Sequence, residues 1–304
     1  MTAALRLAAG DAAVEIVPAV GGAIAGYTVR GRDVLRPTSP QARGDGSVRG
    51  YACYPLVPYS NRIAHARLES AGASFELARN FGDHPHAIHG VGWQRAWTLV
   101  ERGDDSALIA FDHDAVGAAA AAWPWPFHAW QSFALRSDEA GSTLTMKLGL
   151  RNTGTAAFPF GLGWHPYFPR SAQTTLGFAA DGFWETDATC IPTVRVAPAG
   201  ERRFDPPRRI GATQLDNVYA DWNGSASLVD PDRGIAIDIA ADAACGFLVV
   251  FIPPGGDFLA VEPVTHLTDA FNRSQHGERD GGTRSLGPGM AFSCTMRISA
   301  RAQP

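Results

Sequence analysis

Charge is scarce in this 304-residue chain. Asp, Glu, Lys and Arg make up 18% of it, against about 25% in an average globular protein. The formal net charge is −4 and no cluster of Lys and Arg occurs, which argues against a nucleic-acid footprint. The lack of a polybasic run argues equally against a membrane-surface role. No stretch of about 18 apolar residues exists, so no membrane-spanning helix is expected. Met1–Ala9 carries one Arg and few apolar residues, unlike the apolar segment of a secretory signal; a cytoplasmic location is expected. Cysteine is limited to Cys53, Cys190, Cys245 and Cys294, with no C-x-x-C pair. Four cysteines allow three pairings that spacing cannot choose between. Reduced thiols buried as small apolar groups are expected. Helical periodicity is thin as well. The alanine run Gly117–Ala122 is cut off by Pro124 and Pro126, and reads equally as a short helix or a tight loop. No internal repeat, low-complexity linker or charge block divides the chain, so residues 1–304 are expected to form one domain.

What the chain does contain is turn chemistry and alternation. It has 33 Gly and 21 Pro, a mix that favours many short strands joined by turns. Period-two patterns run through Thr143–Leu148, Ile235–Ile239 and Phe292–Ile298. Gly246–Ile252 is continuously apolar and ends at Pro253-Pro254-Gly255-Gly256, as in a central strand buried on both faces. Further strands are expected over Ala13–Val17, Ile24–Val29, Trp97–Glu101 and Ala107–His113. Turns are expected at Gly21-Gly22, Gly141-Ser142, Asn152-Thr153-Gly154 and Asn223-Gly224. Thr38–Gly50 is polar and glycine-rich and reads as an irregular loop, of the kind that lies over a site. The fold class is all-β, a single large antiparallel β-sandwich.

Five segments carry possible chemistry. Gly161–Pro169 sets His165 between glycines and Pro166 inside an aromatic run. Glycine allows close backbone approach to a ligand, proline fixes φ, and the aromatics offer flat walls for a ring. Taken alone, His165 is equally a proton-transfer group or a satisfied core histidine. Asn61-Arg62 offers many donors and one acceptor to a polyol; taken alone, it is a turn with a surface Arg. His84, His86 and His89 lie within six positions and invite a metal reading. Their spacing is not that of a ligand set and no Cys or carboxylate cluster accompanies them, so no metal is expected and one histidine is expected in a polar role. Glu262 follows the apolar Phe258–Val261, where burial raises a carboxyl and strengthens it as a base. Its plainer role is a structural ion pair at a strand end. Asp216 sits in Leu215–Tyr219 and alone reads as a turn aspartate.

Taken in order, these segments resemble the aldose 1-epimerase (galactose mutarotase) family. The resemblance runs from Gly21-Gly22 and Arg30–Pro37 through Asn61-Arg62-Ile63, His86–Gly90, Asn152 with Phe158–Gly161, and Gly163–Phe168. It closes with Leu215-Asp216, Val261-Glu262-Pro263 and Leu286–Gly289. It implies a galactose mutarotase-like supersandwich with a sugar cleft, a free aldose as substrate and no cofactor. It implies His165 as general acid and Glu262 as general base. Arg62, His89, Asn61 and Asp216 then bind substrate. The chain departs from the family at Gly246–Ile252, which lacks the family's further polar side chains. The expected chemistry is interconversion of α and β anomers by ring opening, in a monomer or homodimer. An ordinary His pKa near 6.5 suits the acid, and an ionised glutamate suits the base. Rival readings are a non-catalytic carbohydrate-binding protein on the same fold, a hexose-phosphate mutarotase using Arg43 and Arg49, and a lyase or hydrolase pairing Asp216 with Glu262.

Overall fold

A computed structural model of the protein describes residues 4–303. Alternation in the sequence becomes alternation in burial. In strand Phe127–Asp138, Phe127, Ala129, Gln131, Phe133 and Leu135 are buried and the residues between them are less so. Its neighbour Gly141–Asn152 buries Leu144, Met146 and Leu148. The antiparallel register sets Phe133 opposite Met146 and Leu135 opposite Leu144, so two apolar rows merge into one face. Each such side chain contributes about 1.5–3 kcal/mol on burial.

Among the described residues, these strands belong to a fifteen-stranded sheet. From one edge it runs Thr98–Arg102, Ser106–His113, Phe127–Asp138, Gly141–Asn152 and then the C-terminal strand Ala291–Ala302. It continues through Ile235–Ala241, Leu215–Asp230, Phe247–Ile252 and Phe258–Val264 to the short strands Gly163–Trp164 and Pro55–Leu56. A four-stranded sheet of Leu5–Ala9, Ala12–Val17, Ala23–Val29 and Arg32–Asp33 packs against it. The buried Tyr27 hydroxyl donates to Ser142 Oγ across this interface at 3.0 Å. The main core takes residues from Leu5 to Ala300. A second apolar cluster, including Tyr54, Trp93, Tyr167, Val249 and Val264, lies where the last strands of the large sheet meet the segment 51–56. The architecture is an all-β antiparallel sandwich. The four cysteines are free thiols, and Cys53, Cys245 and Cys294 are buried.

The Phe247–Ile252 strand is central and almost wholly buried, as its apolar run predicts. Three local expectations change. Asn223-Gly224 is not a turn between strands but a bend within Leu215–Asp230, with Asp221 and Gly224 at positive φ. Both flanks find partners, Leu215–Ala220 on Phe247–Ile252 and Ser225–Asp230 on Ile235–Ala241, so the strand kinks and continues. Thr38–Gly50 is ordered around a short helix, Pro40–Asp45, capped by the Ser39 side chain at Ala42 N. The alanine run closes as a five-residue helix, Ala118–Ala122. At Gly21-Gly22 glycine is required. Both φ values are near +60°, and a Cβ on Gly21 would lie 2.1 Å from the Trp93 carbonyl oxygen.

Candidate active site

All six residues singled out from the sequence line one cleft of about 370 Å³. Four separate parts of the fold deliver them. Asn61 and Arg62 lie at and beside the short pairing of Arg62–Ile63 with Ala87–Ile88, and His89 follows Ile88 at the same end, beside Asn61. Asn61 and His89 both adopt left-handed backbone, φ 60° and 63°, a conformation that costs a non-glycine residue unless its surroundings hold it. Here they hold each other. Asn61 N–H donates to His89 Nδ1 at 3.0 Å, and His89 N–H donates to the Asn61 carbonyl at 2.8 Å. Because Nδ1 accepts, the ring proton sits on Nε2, and His89 is a neutral donor. Burial, then the fields of His165 and Arg62, pushes its pKa well below 6.5.

Arg62 joins two acceptors. Its Nη1 donates to Asn61 Oδ1 at 2.9 Å and its Nη2 to Asp216 Oδ2 at 3.0 Å. Asp216 arrives on the long strand ahead of its bend. The planar guanidinium fork holds both partners in one geometry, which a lysine ammonium does not reproduce.

His165 occupies the corner between Gly163–Trp164 and Tyr167–Pro169. Its N–H donates to the Tyr54 carbonyl at 2.9 Å, and Tyr167 N–H donates to the Ala52 carbonyl at 2.9 Å. The imidazole is flanked by Tyr54 and Tyr167 at ring-centre distances of 4.8 and 4.5 Å. Glu262 comes from the middle of Phe258–Val264, opposite Val249, and is 2% exposed. Its Oε1 lies 3.3 Å from His165 Nε2. It is therefore an interior strand residue rather than a strand-end glutamate. Glu262 Oε2, His165 Nδ1 and Arg62 Nε are buried without a hydrogen-bond partner. Buried polar atoms are rarely left so.

The electrostatics invert the expected protonation states. Burial, then the fields of Arg36 and Arg62, pushes His165 down to about 3. Burial, then the neighbouring Asp216, raises Glu262 well above its ordinary value, with Arg62 opposing. Both shifts favour a neutral imidazole beside a protonated carboxyl over an imidazolium beside a carboxylate. Removing water from both groups disfavours either charge.

The motif around His165 also differs from expectation in its packing. A Cβ on Gly161 would fall 1.7 Å from Cδ2 of the buried His266, and one on Gly163 would fall 2.6 Å from Val264. These glycines let the chain pack on its own core rather than on a ligand. Of the aromatics, Trp164 and Phe168 are buried in the core, and Tyr167 faces the cleft. His86 Nδ1 accepts from His65 N–H at 2.8 Å and His84 Nδ1 from His86 N–H at 3.3 Å; both serve the local backbone.

Residues 4–299 match the sequence profile of the aldose 1-epimerase family. The chain belongs to the aldose 1-epimerase family. The Escherichia coli K12 protein YphB, uncharacterized, is 31% identical over 286 residues, covering 91% of this chain and 92% of YphB. A crystal structure of a candidate aldose 1-epimerase from Escherichia coli K12 superimposes with a TM-score of 0.87 at 28% identity, over 99% of each chain. A galactose mutarotase-like protein of Clostridium acetobutylicum shares the fold, with a TM-score of 0.85 at 20% identity over 99% of this chain and 95% of that one.

In this family member the cleft includes residues that sequence reasoning did not place there: Arg36, Tyr54, Phe81, Tyr167 and Phe258. Arg36 lies within Arg30–Pro37, a segment noted for its resemblance and not for its charge. Arg43 and Arg49, which only the hexose-phosphate alternative paired, separate. Arg43 binds Glu15 through both terminal nitrogens, at 2.6 and 2.7 Å, away from the cleft, whereas Arg49 lines it.

Proposed function

We propose that the protein is an aldose 1-epimerase acting on the anomeric centre of an aldose. The observation that carries this is the His165–Glu262 contact at 3.3 Å, inside a cleft that also holds the Asn61–Arg62–Asp216 chain and the neutral His89 donor. Anomer exchange requires loss of the C1 hydroxyl proton and protonation of the ring oxygen. The C1–O5 bond then breaks, C1 becomes an aldehyde, C1–C2 rotates, and closure follows on the other face.

The pair carries one proton through this cycle. His165 gives its proton to the ring oxygen while Glu262 takes the C1 hydroxyl proton, and closure reverses both transfers. Opening leaves a neutral imidazole and a carboxylic acid, the distribution that burial favours. The charged distribution at the start is supported by sugar hydroxyls donating to the carboxylate and by the field of Arg62 on Glu262. Each such group contributes typically about 10²–10⁴-fold. His89 Nε2–H donates to oxygen as charge develops there. Arg62, Asn61 and Asp216 hold the remaining hydroxyls and so fix the ring against the pair.

Polarimetry on freshly dissolved α-glucose and α-galactose tests the reading. Accelerated approach to anomeric equilibrium is expected, falling at least about a hundredfold in Glu262→Gln. Sugar binding without acceleration makes the protein a carbohydrate-binding relative instead.

A further inference from the structure

We propose that the cleft is built for an aldose carrying an anionic substituent remote from C1 (a carboxylate, sulfonate or phosphate ester), held by Arg36 and Arg49. The proposal rests on the reading of the cleft as a sugar site and specifies the class of sugar.

The cation balance of the cleft motivates it. Arg62 is neutralised by Asp216 at 3.0 Å. Arg36 and Arg49 have no carboxylate within 4.0 Å among the described residues. Arg43, from the same loop as Arg49, does have one in Glu15, so the unpaired state is particular to the two arginines that line the cleft.

Arg36 is half-buried and fixed. Its guanidinium lies 4.0 Å from the Tyr167 ring centre and 4.5 Å from that of Phe258. Its Nη2 donates to the carbonyls of Arg49 and Tyr51, at 2.9 and 3.2 Å. Nε and Nη1 have no protein acceptor among the described residues. Arg49, more exposed, lies 4.5 Å from the Phe81 ring centre. Asp257 acts on Arg36 only from beyond salt-bridge distance, and a half-desolvated guanidinium without a close counterion is unfavourable; an oxyanion between the two arginines relieves this. Aromatic faces hold each fork planar, ready for paired hydrogen bonds to oxygen.

The placement suits a ring substituent. Tyr167 carries Arg36 on its ring, and the same ring lies 4.5 Å from that of His165. Arg36 is thus one aromatic ring away from the proton-transfer pair, and Arg49 lines the same cleft. A sugar with its anomeric centre at His165 and Glu262 has its exocyclic end free to reach them. Phe251 and Phe258, apolar where a neutral-sugar site would add hydroxyl partners, also line the cleft.

The test measures binding, so that it does not depend on turnover. By calorimetry, 1,5-anhydroglucitol, which cannot ring-open, is compared with its 6-phosphate, 6-sulfonate and 6-carboxylate counterparts. At least one anionic probe is expected to bind about tenfold or more tighter than the neutral parent. That advantage is expected to shrink as salt is raised and to fall below about threefold in Arg49→Gln. Arg36→Lys keeps the charge but removes the fork, and is expected to weaken the anionic probe more than the neutral one. The tightest probe identifies the anion. Anionic probes that bind no tighter than the parent overturn the proposal, as does an advantage that survives both substitutions. Polarimetry separates the two readings: acceleration of neutral aldoses without an anion advantage leaves the epimerase and removes this inference. Anion-selective binding without any mutarotation does the reverse.

Discussion

Replacing Glu262 by Gln is expected to separate activity from stability. The side chain is 2% exposed, Oε1 faces His165 Nε2 at 3.3 Å, and Oε2 has no partner. A protonated carboxyl presents one donor and one acceptor here, and so does an amide: its NH₂ donates to His165 and its oxygen occupies the unpartnered position. The geometry survives while the transferable proton is lost. Mutarotation is expected to fall at least about a hundredfold. Stability moves the other way. A carboxyl whose folded pKa is raised above its ordinary 4.5 contributes stability that is complete below that value and is lost as pH rises toward the folded pKa. The loss accrues at about 1.4 kcal/mol per pH unit. The wild type should therefore lose stability relative to Glu262→Gln as pH rises above about 4.5, and each 1 kcal/mol lost lowers Tm by about 1.6 °C in a chain of this size. Scanning calorimetry of both proteins at several pH values, with polarimetry on the same samples, measures the two effects. A stability difference that stays flat with pH would refute the reasoning, as would near-wild-type mutarotation in the variant.

His165→Asn should also slow mutarotation at least about a hundredfold by polarimetry. Because His165 is held down to about 3 from 6.5, its contribution to stability is present above 6.5 and lost as pH falls. The wild type should therefore lose stability against the Asn variant on acidification, at about 1.4 kcal/mol per pH unit in denaturant titrations. Arg62→Lys removes the fork that joins Asn61 Oδ1 to Asp216 Oδ2; initial-rate polarimetry should show kcat/KM down by about tenfold or more, with the loss mainly in KM. Gly161→Ala sets a methyl 1.7 Å from Cδ2 of His266, whose Nε2 accepts from Ser60 N–H. Overpacking of this kind costs about 1–3 kcal/mol, and a Tm unchanged by scanning calorimetry would show that the core there yields freely.

Much of the sheet was legible because its signal is local. A strand that faces a core on one side must alternate, and residues 141–148 do so one by one. The Asn223-Gly224 bend was not legible as one. The same dipeptide starts a hairpin or kinks a strand, and pairing partners far along the chain decide which. The glycines beside His165 misled for a similar reason: sequence reveals that a Cβ is missing, not whether a ligand or His266 fills its space.

The sequence by itself determined the β class, the family and the six residues of the candidate site, since residue type and order carry these. Only the tertiary structure decided what those residues are as chemical groups. His89 is a neutral donor because Asn61 N–H occupies its Nδ1. Glu262 is raised and His165 lowered, because both are removed from water. Arg36 joins the cleft while Arg43 leaves it for Glu15. Protonation and charge pairing depend on solvent exclusion and on neighbours up to two hundred positions away, such as Glu262 beside Asn61 and Arg62, and no local pattern in the chain records them.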